Sequence, residues 1–104
     1  MNNEINLNQN TTSYRDFIER YGSYLELNKN EINIVQQVCD RVCEIDVLDD
    51  NKPWTIAAVC IYFTSALYNF DIDRKEIAEK CETTDATLKK YHLILLQHVD
   101  NILV

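Results

Sequence analysis

The chain has 104 residues, the size of one domain that can bury a hydrophobic core of its own. Hydrophobic residues make up 46% of it, and a single glycine and a single proline leave little provision for the tight turns of a β-rich fold. The formal net charge of −7 argues against a general nucleic-acid-binding surface. Composition therefore predicts an all-α protein.

The charge is unevenly distributed along the chain. Residues 1–73 contain five basic and twelve acidic side chains, a net charge of −7. Residues 74–90 contain five basic and four acidic side chains, a net charge of +1, and the rest of the chain adds only Asp100. Half of the ten basic side chains therefore lie within seventeen consecutive residues, which are the best candidates for contact with an anionic partner.

Residues 1–12 are polar and rich in asparagine, and we predict a flexible arm there, followed by one domain over residues 13–104. The first ten residues, MNNEINLNQN, lack the apolar core of a signal peptide. The four cysteines fall inside helical patterns, which favours buried free thiols in a reducing compartment. They are Cys39, Cys43, Cys60 and Cys81.

Two amphipathic helices are predicted next. Ser13 is the expected N-cap of the first, and Gly22 is expected to lie at or near its end. Asn28 and Glu31 have the spacing of a capping box, and the second helix is expected to run to about Ile45. The core positions of the first helix have the i, i+3, i+4, i+7 spacing of an amphipathic helix. They are Tyr14, Phe17, Ile18 and Tyr21.

Residues 51–68, NKPWTIAAVCIYFTSALY, predict a third helix whose first turn is set by Pro53. Its apolar side chains cover every face of a 3.6-residue period, so other helices must surround it. It is too short, and too interrupted by hydroxyl side chains, to span a membrane. Ala57, Ala58 and Ala66 are expected to let neighbouring backbones come close.

The basic segment predicts a helix-turn-helix. Asp73 and Glu76 have capping-box spacing before a short helix, and residues 82–84 form a turn. Thr83 or Thr84 is expected to cap a last helix that begins at Asp85 and carries basic residues in its first two turns. Its inner stripe is formed by Leu88, Tyr91, His92, Leu95 and Val99.

The chain resembles the C-terminal cyclin-like repeat of transcription factor IIB and its archaeal relatives. The segment KPWTIAAVCIYFTSAL is similar to the family pattern P-x-x-I/V-A-A-A-A-I-Y-x-A-S. The segment RKEIAEKCETTDATLKKYH is similar to the pattern K-E-I-x-x-x-x-G-V-x-x-x-T-I-R. Weaker similarity upstream extends the match to about residues 11–99, and the two motifs together at this separation are fairly specific.

The resemblance implies a cyclin-like bundle of five helices around a buried third helix, with the last two forming a helix-turn-helix. In the family, two such repeats clasp a complex of TATA-binding protein and promoter DNA, and the recognition helix enters the major groove upstream of the TATA element. By motif position, Ala86, Thr87 and Lys89 would face bases here. Lys90 is the second exposed cation of the same helix.

Three further cations, Arg74, Lys75 and Lys80, are expected either to contact DNA phosphates or simply to solubilise the surface. For Lys89 and Lys90 the alternative is an ordinary solvated helix face. On the implied function, the partners are promoter duplex, TATA-binding protein and the RNA polymerase machinery. The site of action is the nucleus for a cellular factor and an intracellular site, such as the cytoplasm, for a viral one.

The sequence departs from the family pattern in ways that bear on DNA binding. Glu82 stands at the turn position where the family usually has glycine, and Lys89 stands where arginine is common. Leu93 replaces a residue that is often basic, so one phosphate contact is expected to be missing. The chain is also more acidic than the family norm, and it holds a single repeat.

The alternative hypothesis is a cyclin-fold protein-interaction module without DNA contact, whose acidic first two helices bind a basic partner. Trp54 is expected to be a packing anchor at the edge of the bundle, with partner binding as its alternative role. The chain has no glycine-rich phosphate loop, no nucleophile motif and no converging set of metal ligands. We therefore predict no enzyme activity, no cofactor and no metal.

Overall fold

The computed structural model describes residues 13–48 and 50–103, which form six helices. The arm predicted for residues 1–12 and the predicted domain end at residue 104 lie outside the described residues. The predicted all-α architecture is confirmed. The helices are α1 (Tyr14–Tyr24), α2 (Lys29–Glu44), α3 (Pro53–Tyr68), α4 (Arg74–Lys80), α5 (Asp85–Leu96) and α6 (Val99–Ile102).

The short α6 was not expected as a separate helix. The last long helix ends at Leu96, because the N–H groups of Gln97 and His98 donate to the carbonyl groups three residues back, at 3.1 and 2.9 Å. This tighter hydrogen bonding turns the chain, and Val99 begins a new helix of four residues. Ile102 in α6 is fully buried, and α6 packs against α2.

Helix α3 lies at the centre of the bundle, as predicted. Every residue from Ile56 to Ile61 is buried, as are Phe63, Thr64 and Ser65. Helices α1, α2, α4 and α5 all pack against it. Ala57 and Ala58 lie at these contacts, whereas Ala66 is exposed, so the prediction for Ala66 was wrong.

The helix starts follow their predicted caps in most cases. The side chain of Asn28 accepts from the N–H of Glu31, and the Glu31 carboxylate accepts from the N–H of Asn28, each at 2.8 Å. Thr84 caps α5 by accepting from the N–H of Thr87 at 3.1 Å. Asp73 precedes α4 as expected, but its side chain makes no capping bond, so the second capping box does not form.

Gly22 does not end the first helix, which continues to Tyr24. It is buried where α1 meets α2, and a Cβ atom built on it would lie 2.9 Å from Cγ1 of Ile32. The glycine therefore allows the two helices to approach closely, and this explains its position better than a role in helix termination.

The turn between α4 and α5 retains the left-handed conformation that the family usually assigns to glycine. Glu82 has a φ of 57°. The N–H of Thr83 donates to the carbonyl of Ala78 at 2.9 Å and that of Glu82 to the carbonyl of Glu79 at 3.4 Å, as in a Schellman motif. The side chain at position 82 is therefore accommodated without a change of turn type, at the cost of backbone strain.

We predict that Glu82→Gly increases the free energy of unfolding by about 1 kcal/mol, because it relieves the left-handed strain of a residue with a Cβ atom. Glu79→Gly is the matched control, since the same change at an exposed helical position in the last turn of α4 should lower that free energy by about 1 kcal/mol. Chemical denaturation measures both. A Glu82→Gly variant no more stable than the parent chain would show that the turn is not strained.

Candidate nucleic-acid interface

The helix-turn-helix is formed by α4, the Schellman turn and α5. Leu88 and Leu95 are fully buried on the inner side of α5, and Ile77 is fully buried on α4. This anchoring fixes which face of α5 points outward, because residues three and four positions apart share a helix face. The outward face begins with Ala86 and continues with the lysine pair that follows one turn later.

The structure places the predicted base-facing residues on this outward face. Ala86, Lys89 and Lys90 are exposed, and Thr87 is half-buried. The Oγ1 atom of Thr87 is hydrogen-bonded to Oγ1 of Thr84 at 2.9 Å, so its hydroxyl already takes part in the cap of α5. Among these residues, Ala86 has the smallest side chain, and it lies at the exposed start of the helix.

Cations from both helices surround one carboxylate at the start of α5. The pKa of Asp85 is lowered, first because the Arg74 guanidinium donates a hydrogen bond to it, and further by the positive charges of Lys89 and Lys75. Lys75 is exposed on α4, and within the described part of the chain neither lysine forms an ion pair. Arg74, Lys75 and Lys89 therefore all stabilise the charged form of this one carboxylate.

Arg74, the first residue of α4, contacts side chains of two other helices, α5 and α3. Its Nε atom donates to Oδ1 of Asp85 at 2.5 Å, and its Nη1 atom donates to the hydroxyl of Tyr62 on α3 at 3.3 Å. The guanidinium carbon also lies 5.9 Å from the centre of the Tyr62 ring. These two contacts use two of the five N–H donors of the guanidinium and fix its orientation.

The sequence did not predict that the side chains of Arg74, Asp85 and Tyr62 form a cluster. The opposite charges of Arg74 and Asp85 on either side of the turn are a weak signal for their pairing. Nothing in the sequence indicates that Tyr62 joins them, since it lies in the middle of an apolar helix whose faces cannot be ranked from the sequence. The packing of α4 and α5 against α3 brings the three side chains together.

His92 lies behind the cluster. Its ring centre is 4.9 Å from that of Tyr62 and 5.7 Å from that of Phe63. His92 is half-buried at the boundary of the core, and its Nδ1 atom is buried and has no hydrogen-bond partner among the described residues. Burial lowers the pKa of His92, and the charge of Arg74 lowers it further.

The outward face of α5 becomes apolar beyond the lysines. Leu93 is 62% exposed, at the position where the family often has a basic residue. Lys90 extends along the helix, with its ammonium group 5.2 Å from the centre of the Tyr91 ring. The cationic part of the face is therefore confined to the first two turns of α5.

Trp54 lies elsewhere, at the start of α3. It is 45% exposed and makes an edge-to-face contact with Phe17, with ring centres 5.9 Å apart. The contact is that of a packing anchor at the bundle edge, and the exposed part of the indole remains available to a partner.

The described residues form no group of three or more histidine, cysteine, aspartate or glutamate side chains that could hold a metal ion. The four cysteines are unbridged; three are buried and Cys43 is half-buried. Among the helices that the structure describes, none has both the length and the apolar character needed to cross a membrane.

A helical bundle closed around one central helix, with a helix-turn-helix near its end, is the architecture of a cyclin-like repeat. The sequence matches the family described as Transcription factor TFIIB repeat over residues 7–98, and the chain belongs to that family.

The similar proteins are transcription initiation factors. The chain is 28% identical over 86 residues to Transcription initiation factor IIB 3 of Halobacterium salinarum and 27% identical over 86 residues to transcription initiation factor IIB of Saccharomyces cerevisiae. Each match covers 83% of this chain. A third, in Methanocaldococcus jannaschii, is 27% identical and covers 93% of this chain. The relatives are named as initiation factors, in agreement with the prediction that the chain is not an enzyme.

The chain corresponds to only part of each relative. It spans 27% of the Halobacterium protein, 25% of the yeast protein and 14% of the Methanocaldococcus protein. The family membership and the fold follow from the match, whereas the activity of a complete initiation factor does not transfer with it.

We predict that stability falls as the pH is lowered from about 7.5 to about 5.5. His92 has a folded-state pKa below its ordinary value of 6.5, so the unfolded chain binds more protons in this window and the free energy of unfolding rises with pH. Urea denaturation at several pH values measures the slope. His92→Gln should reduce it, and His98→Gln, which removes the other histidine, should leave it in place. An unchanged slope in His92→Gln would rule out His92 as its source.

Proposed function

We propose that the chain is a transcription initiation factor IIB-like module that docks its helix-turn-helix on promoter DNA next to a TATA-binding-protein complex and helps recruit RNA polymerase. The observation that carries the proposal is the outward face of α5, on which Ala86 and Lys89 are exposed while Leu88 and Leu95 of the same helix are buried in the core. A recognition helix presents its N-terminal residues to base edges in the same way.

Base contacts are assigned to the outward face of the first two turns of α5. Lys89 is exposed and donates to the O6 and N7 acceptors of guanine, as a point charge without the fork of arginine. Ala86 and the methyl group of Thr87 are small enough to contact a thymine methyl group. A good base contact discriminates by about 1–3 kcal/mol against the wrong base.

Phosphate contacts are assigned to the cations at the edges of the same face. Lys75 on α4 and Lys90 on α5 are exposed and lie on the two sides of the turn. Such contacts fix the position of a protein on the duplex but carry no sequence information. Arg74 is held by Asp85 and Tyr62, so a phosphate contact from it would be limited to the donors that these two bonds leave over.

The proposed docking is weak for the isolated chain. Only three exposed cations flank the recognition face, and the remainder of an acidic chain with a net charge of −7 repels DNA. A TATA-binding protein already seated on the promoter would supply a second set of contacts, which raises the effective concentration of the helix-turn-helix at its site. Recruitment of a polymerase rests on family membership alone, and the nucleus or a viral transcription site is where such a factor would act.

A second candidate function is protein binding without DNA contact. It is favoured by the charge of −7 carried by residues 1–73 and by the exposed indole of Trp54. Aromatic residues of this kind are common anchors at protein interfaces. A basic protein partner would fit this surface.

We predict that the chain binds a promoter duplex with an affinity that falls with salt, and that log K against log salt concentration has a shallow slope of about −2 to −3, because two or three phosphates are neutralised. Fluorescence anisotropy of labelled duplex at low and moderate salt, with and without a TATA-binding protein, measures the slope. Absence of binding under all these conditions would leave the protein-binding function as the better account.

Two lysine variants test the assignment of roles. Lys89→Ala should relax the preference for the cognate sequence, whereas Lys75→Ala should weaken all sequences alike and reduce the salt slope by about 1. Lys29→Ala is the matched control, since it removes the same charge from an exposed position at the start of α2. If Lys89→Ala and Lys75→Ala weakened every sequence equally, the distinction between base and phosphate contacts would be wrong.

A further inference from the structure

We propose that Arg74 is a positioning residue that, with Asp85 and Tyr62, forms a latch fixing the orientation of the recognition helix, and that it does not contact the DNA backbone. The inference concerns the same helix-turn-helix as the proposed function and rests on it for its effect on DNA binding. The orientation itself is a property of the free protein and can be measured without DNA.

The latch joins three helices through one guanidinium. Arg74 is the first residue of α4, Asp85 is the first residue of α5, and Tyr62 belongs to the central helix. A planar guanidinium with separate donors directed to a carboxylate and to a phenol hydroxyl restricts both angle and distance. These bonds attach the helix-turn-helix to the core at the start of α5, which is the end of that helix that would approach the DNA groove.

Apolar packing alone constrains α4 weakly. The helix has only seven residues, and its buried side chains are Ile77 and Ala78. A helix of this length is not stable by itself, so its placement depends on tertiary contacts. The Schellman turn sets the path of the chain at the other end of α4, and the Arg74 contacts hold the end where α4 begins. Two fixed ends define the orientation of the short helix.

The charge of Asp85 gives the latch a second effect. Its carboxylate lies at the start of the helix that would approach phosphates, where an uncompensated negative charge would repel the duplex. Arg74 bonds to this carboxylate directly, and both side chains remain partly accessible, with exposed fractions of 34% for Arg74 and 41% for Asp85. The pair presents a nearly neutral unit to the DNA, while Lys75 and Lys89 keep their charges for contact.

The latch and a phosphate contact predict opposite results for Asp85. If Arg74 bound a phosphate, Asp85→Asn would release the guanidinium and remove a repelling charge, so DNA binding would become about twofold or more tighter. If Arg74 holds α5 in place, Asp85→Asn replaces a charge-assisted hydrogen bond with a weaker neutral one, and the loss of orientation outweighs the removal of the repelling charge. Asp85→Asn and Arg74→Ala then both bind more weakly. The sign of the Asp85→Asn effect therefore separates the two roles.

The DNA experiment measures duplex affinity and salt slope for Arg74→Ala, Asp85→Asn and the double variant, each checked for folding by circular dichroism. We expect each single variant to bind about tenfold more weakly, the double variant to be no weaker than either, and the slope to be unchanged. Arg74→Lys keeps the charge but lacks the planar donor geometry that fixes both partners, so it should also bind more weakly. Tighter binding by Asp85→Asn, or a slope reduced by about 1 in Arg74→Ala, would overturn the proposal.

The second experiment uses the free protein. Residual dipolar couplings of backbone amides report the orientation of α4 relative to α5, and we expect it to change in Arg74→Ala and Asp85→Asn. Glu79→Gln, which removes an exposed charge from α4 without touching the latch, should leave it as in the parent chain. An unchanged orientation in the latch variants would overturn the proposal. A changed orientation in a chain that binds no duplex would support the latch and refute the proposed DNA function.

Discussion

The enclosure of α3 is the constraint on which the rest of the molecule depends. An apolar helix with no solvent stripe is stable only if neighbours cover it on all sides, and burial of each large apolar side chain is worth about 1.5–3 kcal/mol. Helices α1, α2, α4 and α5 meet this requirement, and each contributes fully buried or nearly buried side chains to the same core. The short helix α4 is ordered because it packs against α3 as one of these surrounding helices.

The same enclosure positions the candidate DNA-binding surface. Leu88 and Ile77 dock α5 and α4 on the central helix, which turns Ala86 and Lys89 outward. Tyr62 is the residue at which the core helix reaches the surface. It is half-buried, it accepts a hydrogen bond from Arg74, and its ring lies against that of His92 at an interplanar angle of 56°. A residue of the central helix thus links the packing of the bundle to the orientation of its functional element.

An acidic chain can carry a DNA-binding surface if its few cations are concentrated. Here half of the basic side chains lie between residues 74 and 90 of the sequence. In the fold, cations of both α4 and α5 lie close enough to Asp85 to lower its pKa. Under the proposed function such a surface would have a low intrinsic affinity, since it would make few phosphate contacts. Such a surface suits a module that binds as part of a larger assembly.

By itself, the sequence determined the elements of this fold. Hydrophobic periodicity, Pro53 and the capping pair of Asn28 and Glu31 located the long helices, and the apolar character of the third identified the core. The outward position of Lys89 followed from the spacing of the inner residues of the same helix, and that of Ala86 from its place in the motif of the resemblance. These features depend on neighbours within one or two helical turns, and local patterns record them.

Only the tertiary structure decided the contacts between helices. It brought Tyr62 and Arg74 together, left the Nδ1 atom of His92 without a partner among the described residues and packed Gly22, near the end of α1, against Ile32 of α2. It also retained the left-handed turn at Glu82. Each outcome depends on which faces of separate helices meet in space, and an apolar helix covered on all sides has no polar face from which that arrangement can be inferred.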